Sequence, residues 1–210
     1  MTDRITTPRG DAAVDLDIPD EPALLLVLGH GAGGSVESPD LVAVRDAAVA
    51  AGYAVARVTQ PYRVAGRRTP APAAQLDEAW LAVLAGLDAL VPGAGLGDLP
   101  LVTGGRSSGA RVACRTARAT GALGVLALAF PLHPPGRPEK SRADELAAAG
   151  VPVLVLNGDR DPFGVPDPGR RVKVHVIPGA NHSLRTAPGN LTTPALAWLK
   201  TVRRRSRRSG

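Results

Sequence analysis

Cysteine is nearly missing from this chain. Cys114 stands alone among 210 residues, which excludes an intramolecular disulfide and a multi-cysteine zinc site. Its place inside the helical-looking ARVACRTARA points to a packed apolar thiol rather than a nucleophile. Aromatic residues make up only 3% of the sequence, too few to line a long acyl channel, so a lipase is disfavoured. Long apolar runs are missing as well. ALLLVL (23–28) and VLALAF (125–130) fall far short of the roughly 20 residues that a membrane-spanning helix needs. The opening MTDRITTPRG is polar with no apolar segment behind it, unlike a secretory leader. These absences predict a cytoplasmic protein with no membrane span.

Acidic residues are absent from the last eleven positions, where Lys200, Arg203, Arg204, Arg205, Arg207 and Arg208 gather. Six positive charges there match the whole net charge of +6, so the body of the chain is near neutral. The expected organisation is one domain over residues 1–202, followed by a basic, disordered tail over 203–210 that is dispensable for chemistry. A run of this kind is ordinarily solvated, so no specific nucleic-acid partner is expected. The length suits a single domain with a substantial core.

What is present is an alternation. ALLLVLG (23–29), YAVARVT (53–59), LPLVTG (99–104), GVLALAF (124–130), VPVLVLNG (151–158) and VKVHVIPG (172–179) read as buried parallel strands, being short, apolar and closed by turn residues. Between them DLVAVRDAAVAAG, AQLDEAWLAVLAGLDAL, RVACRTARATG, SRADELAAAG and NLTTPALAWLKTVRRR carry helical spacing. VDLDIP (14–19) is expected to add an antiparallel edge strand at the front. Alternating strands and helices predict an α/β fold, a mainly parallel sheet with helices on both faces joined by right-handed crossovers. The carboxyl ends of the strands then share one edge, where such folds place their sites. The loops GHGAGGSVESPD, QPYRVAGRRTPAP and PLHPPGRPEK should border it.

Gly105-Arg106-Ser107-Ser108-Gly109 lies between a predicted strand and a predicted helix. Strand, Gly-x-Ser-x-Gly, helix is a nucleophile elbow, in which a serine on a strained turn needs small residues two before and two after it. Ser107 meets that requirement, whereas Ser108 would need a small residue where Arg106 stands. A serine hydroxyl needs a base, and the base needs an orienting carboxylate. Asp159 and Asp161 follow the strand VPVLVL, and His182 follows VKVHVI, in the expected order of serine, acid, histidine. Asp161 is preferred to Asp159, because the loop must leave the strand before its carboxylate can turn back to the imidazole. The oxyanion would be held by backbone amides, those of Ser108 and of Ala32, with Gly33 the alternate to Ala32.

The same loop, Gly29-His30-Gly31-Ala32-Gly33-Gly34, matches the dinucleotide fingerprint Gly-x-Gly-x-x-Gly. That reading needs a helix starting at the third glycine and an acid closing the next strand. Here Ser35-Val36-Glu37-Ser38-Pro39 delays the helix and the strand closes on Thr59-Gln60-Pro61. Weaker candidates for substrate contact are His30, Arg106 and His133. Arg106 either binds a substrate carboxylate or pairs with a neighbouring acid, and His175, within a strand, is read as structural. His30, His133 and His182 have no ligand spacing, so no metal is expected.

These segments resemble the α/β-hydrolase superfamily, in its small dienelactone-hydrolase-like branch, over nearly the whole chain. GGRSSGAR, FPLHPPGRPEK, NGDRDPFG and GANHSL look like a subgroup that includes the hydrolase-like domain of a subunit of a chromatin-associated nonspecific-lethal complex. The resemblance implies an α/β-hydrolase fold with Ser107 as nucleophile, Asp161 as acid and His182 as base. Dienelactone hydrolases proper carry a cysteine where Ser107 stands, so their substrate does not transfer. The stretch from Ser107 to Asp161 holds two helices and two strands but no inserted lid, so no cap domain is expected, and PFGVPDPGRR (162–171) is too short and proline-rich for the usual helix. The expected activity is cofactor-independent hydrolysis of a small-molecule ester or thioester. The alternative is a binding or scaffold protein on the same fold, and the oligomeric state is left open.

Overall fold

The computed structural model describes residues 2–206. One eight-stranded sheet runs through it in the order β1-β2-β4-β3-β5-β6-β7-β8. The strands are β1 (Thr2–Thr7), β2 (Gly10–Asp17), β3 (Leu25–Gly29), β4 (Ala54–Thr59), β5 (Leu101–Arg106), β6 (Val125–Leu128), β7 (Val153–Gly158) and β8 (Val172–Ile177). The helices are α1 (Pro39–Ala50), α2 (Pro61–Val64), α3 (Ala73–Leu90), α4 (Ser108–Thr116), α5 (Ala143–Ala148) and α6 (Gly189–Ser206). From β3 to β8 every pairing is parallel.

Period-two burial explains why the inner strands are apolar throughout. Leu26 and Leu28 of β3, Leu126 and Leu128 of β6, and Leu154 and Leu156 of β7 join one core with Leu41 and Val44 of α1 and Trp198 and Leu199 of α6. The alternate residues Leu25 and Val27 face the opposite way, into a core with Trp80 and Val83 of α3. Val125, Val153 and Val155 meet α4 and α5 on that second face. Each such side chain contributes about 1.5–3 kcal/mol by leaving water. A sheet covered on both faces has no room for polar alternation.

The amino-terminal edge differs from expectation. A strand that sequence reading did not anticipate, Thr2–Thr7, pairs antiparallel with Gly10–Asp17, which in turn pairs antiparallel with β4. The edge strand expected at 14–19 is instead the second half of β2, which ends at Asp17 and lies inside β1 in a hairpin that starts at Thr2. Ile5 is the apolar residue that docks β1, against Gly86 of α3. The last helix, α6, runs as NLTTPALAWLKTVRRR predicts, through Arg203, Arg204 and Arg205 to Ser206, so the first four residues of the expected tail are helical. Leu191, Ala195, Trp198, Leu199 and Val202 form its buried stripe. Position 203 is therefore not the start of a tail, and residues 207–210 lie outside the described residues. No helix among the described residues is long and apolar enough to cross a membrane.

Between β7 and β8 there is no helix, as the prolines of 162–171 predict. The connection is a loop, and it carries part of the site.

Candidate functional site

Ser107 joins β5 to α4 with φ 51° and ψ −108°, a left-handed φ that non-glycine residues avoid. The surroundings hold it there. Its amide donates to the Leu128 carbonyl at 2.9 Å, and its carbonyl accepts the Arg111 amide of α4 at 3.2 Å. A Cβ on Gly105 or on Gly109 would collide with the Gly29 carbonyl oxygen of β3, and Gly105 has φ 152°. The two glycines are thus required by the close passage of β3 beneath the turn.

His182, on the loop after β8, puts Nε2 at 3.0 Å from the Ser107 Oγ. Its Nδ1 lies 2.8 Å from Asp161 Oδ2. The Asp161 side chain has no exposed surface, whereas that of His182 is 19% exposed. The other carboxylate oxygen, Oδ1, accepts the Phe163 amide at 2.9 Å. Asp159 is turned elsewhere: its carboxylate accepts the Gly179 amide at 2.7 Å in an exposed turn. Of the two candidate acids, Asp161 is the one beside the imidazole.

Two residues that sequence reading missed complete this corner. The Phe163 ring stacks on His182 with centroids 4.1 Å apart and planes tilted by 31°, fixing the imidazole face. Asn157, fully buried at the end of β7, accepts the Phe130 amide at 2.8 Å. Its Nδ2 donates to the Gly164 carbonyl at 3.1 Å and lies 3.4 Å from Asp161 Oδ2. It therefore clamps the loop after β6 to the acid loop. The signal for both lay in the NGDRDPFG segment, whose asparagine and phenylalanine flank the acid.

The segments that carry the expected oxyanion donors both adjoin Ser107. Ser108 opens α4, so its amide is among the first-turn donors with no partner inside the helix. The loop holding Ala32 runs past the serine, since a Cβ on Gly31 would lie 3.7 Å from Ser107 Cβ. The Ala32 carbonyl accepts the Tyr62 hydroxyl of α2 at 2.7 Å. Burial raises the pKa of that phenol.

The three weaker substrate candidates resolve differently. His30 is only 3% exposed. Its Nε2 accepts the Gln60 amide at 3.1 Å, so Nδ1 carries the proton and donates to the Gly31 carbonyl at 2.7 Å. Burial pushes its pKa down, opposed by the Gly31 hydrogen bond and assisted by Arg63. With both nitrogens spent on main chain, His30 ties two loops together and is not a substrate contact. His133 points Nδ1 at the Pro134 carbonyl at 2.9 Å and packs its Nε2 edge on Gly164, so it braces the acid loop. Arg106 pairs with an acid, Asp40, at 2.9 Å, and donates to the His182 carbonyl at 2.9 Å. Asp40 is a residue that sequence reading missed, because nothing marks an acid in a first helical turn as buried.

His175 lies within strand β8 as expected, with its side chain exposed on the sheet's edge. Cys114 is fully buried, and burial pushes its thiol pKa up to about 12. No group of three His, Cys, Asp or Glu among the described residues is arranged to hold a metal ion. The glycine-rich loop does not open a helix, since α1 begins at Pro39. Arg57 is committed to Glu37 at 2.5 Å and Asp17 at 3.7 Å.

Solved structures of similar shape are numerous. An α/β serine hydrolase without a lid from Xanthomonas campestris aligns with TM-score 0.71 and 18% identity, over 94% of this chain and 94% of that one. Dienelactone hydrolase from Anabaena variabilis gives 0.72 and 20%, over 94% and 93%. Est1E from Butyrivibrio proteoclasticus gives 0.71 and 16%, over 96% and 98%. At these identities the likeness speaks for the fold alone. No curated protein matches the sequence. A family model described as an alpha/beta hydrolase domain matches residues 22–206, which takes in every element from β3 to α6. The chain therefore belongs to the α/β-hydrolase family, with a mainly parallel sheet, helices on both faces and no cap domain among the described residues.

Proposed function

We propose that this protein is a cofactor-independent serine hydrolase that cleaves small carboxylic esters or thioesters through an acyl-enzyme. The observation that carries the reading is the unbroken hydrogen-bonded line from buried Asp161 through His182 to Ser107. Asp161 accepts a hydrogen bond from Nδ1–H, a tautomer that leaves Nε2 unprotonated and facing the serine hydroxyl. His182 removes that proton as Ser107 Oγ attacks the acyl carbon, and Asp161 stabilises the imidazolium that results. The amides of Ser108 and Ala32 take the oxyanion. The imidazolium then protonates the departing alkoxide or thiolate. Water, activated by the same His182, attacks the acyl-serine and restores the enzyme.

With no cap domain among the described residues, the site suits short acyl groups. The naming of fold neighbours as a serine hydrolase and a dienelactone hydrolase supports hydrolytic chemistry. The GRSSG and GDRDPFG segments support membership of the dienelactone-hydrolase-like subgroup. The test is turnover of a panel of short-chain aryl esters and acyl thioesters by wild type and Ser107→Ala. We expect wild-type turnover with an initial burst of alcohol or thiol, and a loss of about a thousandfold or more in Ser107→Ala. Equal rates for the two folded proteins, or no wild-type turnover on any substrate, would overturn the proposal.

A further inference from the structure

Arg106, immediately before Ser107, reaches across the site instead of out of it. Its Nε lies 2.9 Å from Asp40 Oδ2, and the two side chains are 17% and 1% exposed. Asp40 is the second residue of α1, where the positive end of the helix dipole favours a carboxylate. Its Oδ1 accepts the Leu41 amide at 3.0 Å. The far end of the guanidinium, Nη2, donates to the His182 carbonyl at 2.9 Å. Gly31 leaves space for it, since a Cβ there would stand 3.0 Å from Nη1. One planar group thus joins the start of α1, the turn that holds Ser107 and the loop that holds His182.

The His182 loop is held on either side of the histidine: the buried Ala180 accepts the Arg160 amide at 3.0 Å, and the buried Leu184 donates to the Asn181 carbonyl at 2.9 Å. It leaves β8, the last strand of the sheet, where His175 and Val176 are exposed. It passes through Leu184 at φ 47°. Among the described residues, the hydrogen bond from Arg106 is the only one made to the main chain of His182 itself.

We infer that Arg106, anchored by Asp40, is a positioning residue for His182. It fixes the backbone of the base while Asp161 and Phe163 fix the ring, so that Nε2 stays within hydrogen-bond distance of the serine. The inference rests on the reading of Ser107 and His182 as nucleophile and base. It also separates two uses of an arginine beside a nucleophile. A group that binds substrate carboxylate alters KM, whereas a group that holds the base alters kcat.

Arg106→Lys is the direct test, because lysine keeps a cation opposite Asp40 but cannot span both partners as a planar fork does. We expect kcat to fall about ten- to hundredfold, the scale of a misplacement near 1 Å, with KM within about twofold and an unchanged melting temperature. Asp40→Asn keeps the side-chain volume and loosens the anchor, so it should lower kcat by less and likewise spare KM. If Arg106→Lys fails to fold, Asp40→Asn carries the same comparison. Wild-type kcat in either folded variant overturns the inference while leaving the proposed hydrolase intact. A raised KM with kcat preserved also overturns it, and makes Arg106 a substrate contact. An inactive wild type instead removes the hydrolase reading and this inference with it.

Discussion

The Asp161 carboxylate is fully enclosed by the protein and fully employed. It receives the imidazole at 2.8 Å and the Phe163 amide at 2.9 Å, so its charge is compensated by donors instead of water. Asp161→Asn keeps the shape but offers an amide where an acceptor is needed, and the imidazole then turns or adopts the wrong tautomer. We expect kcat/KM to drop about 10³–10⁴-fold in a folded protein. Asp159→Asn removes only an acceptor for the Gly179 amide in an exposed turn and should stay within about threefold. Ester hydrolysis with circular dichroism as the folding control checks both, and a reversal of the two effects would contradict the assignment. At this scale the sequence was legible where chemistry restricts residue type and chain order, as for Ser107, Asp161 and His182. It was not legible where geometry decides. Nothing in the letter His at position 30 says that both its nitrogens are taken by main chain, and nothing in Arg106 says that it reaches Asp40 and His182.

The elements show why the elbow is written with glycine. β3 lies directly beneath the strand-to-helix turn, and the Gly29 carbonyl occupies the space where side chains at 105 and 109 would go. Gly109→Ala therefore has no relaxation except to push α4 away from the sheet. We expect a destabilisation of about 1–3 kcal/mol, the usual range for overpacking, together with loss of turnover because Ser107 moves with α4. Thermal melting and ester assay of the variant check this, and a stable, active Gly109→Ala would contradict the close passage. The inner strands were readable because a doubly covered parallel sheet leaves continuous apolar runs. β1 was not, since it is an edge strand in which Ile5 and Thr7 are buried and the rest face water. Its polar composition gives no strand signal of its own. The loop in place of a helix between β7 and β8 was readable from its prolines, but its cargo, Phe163 stacked on His182, was not.

For the whole molecule, the order of strands brings the ends of β5, β7 and β8 to one edge, and this is what converts three distant segments into one site. Two cores hold that edge in place, one under α1 and α6 and the other under α3, α4 and α5. The molecule needs no cap to assemble the line from Asp161 to Ser107. The proposed hydrolase should therefore be open to small electrophiles in its resting state, and its serine should be nucleophilic without any added partner. Treatment of the purified protein with a fluorophosphonate, followed by intact and peptide mass measurement, tests this most directly. The account predicts one phosphonyl group per chain, on Ser107, with labelling absent from Ser107→Ala and strongly slowed in His182→Ala. An unlabelled wild type, or labelling that persists in folded Ser107→Ala, would contradict it.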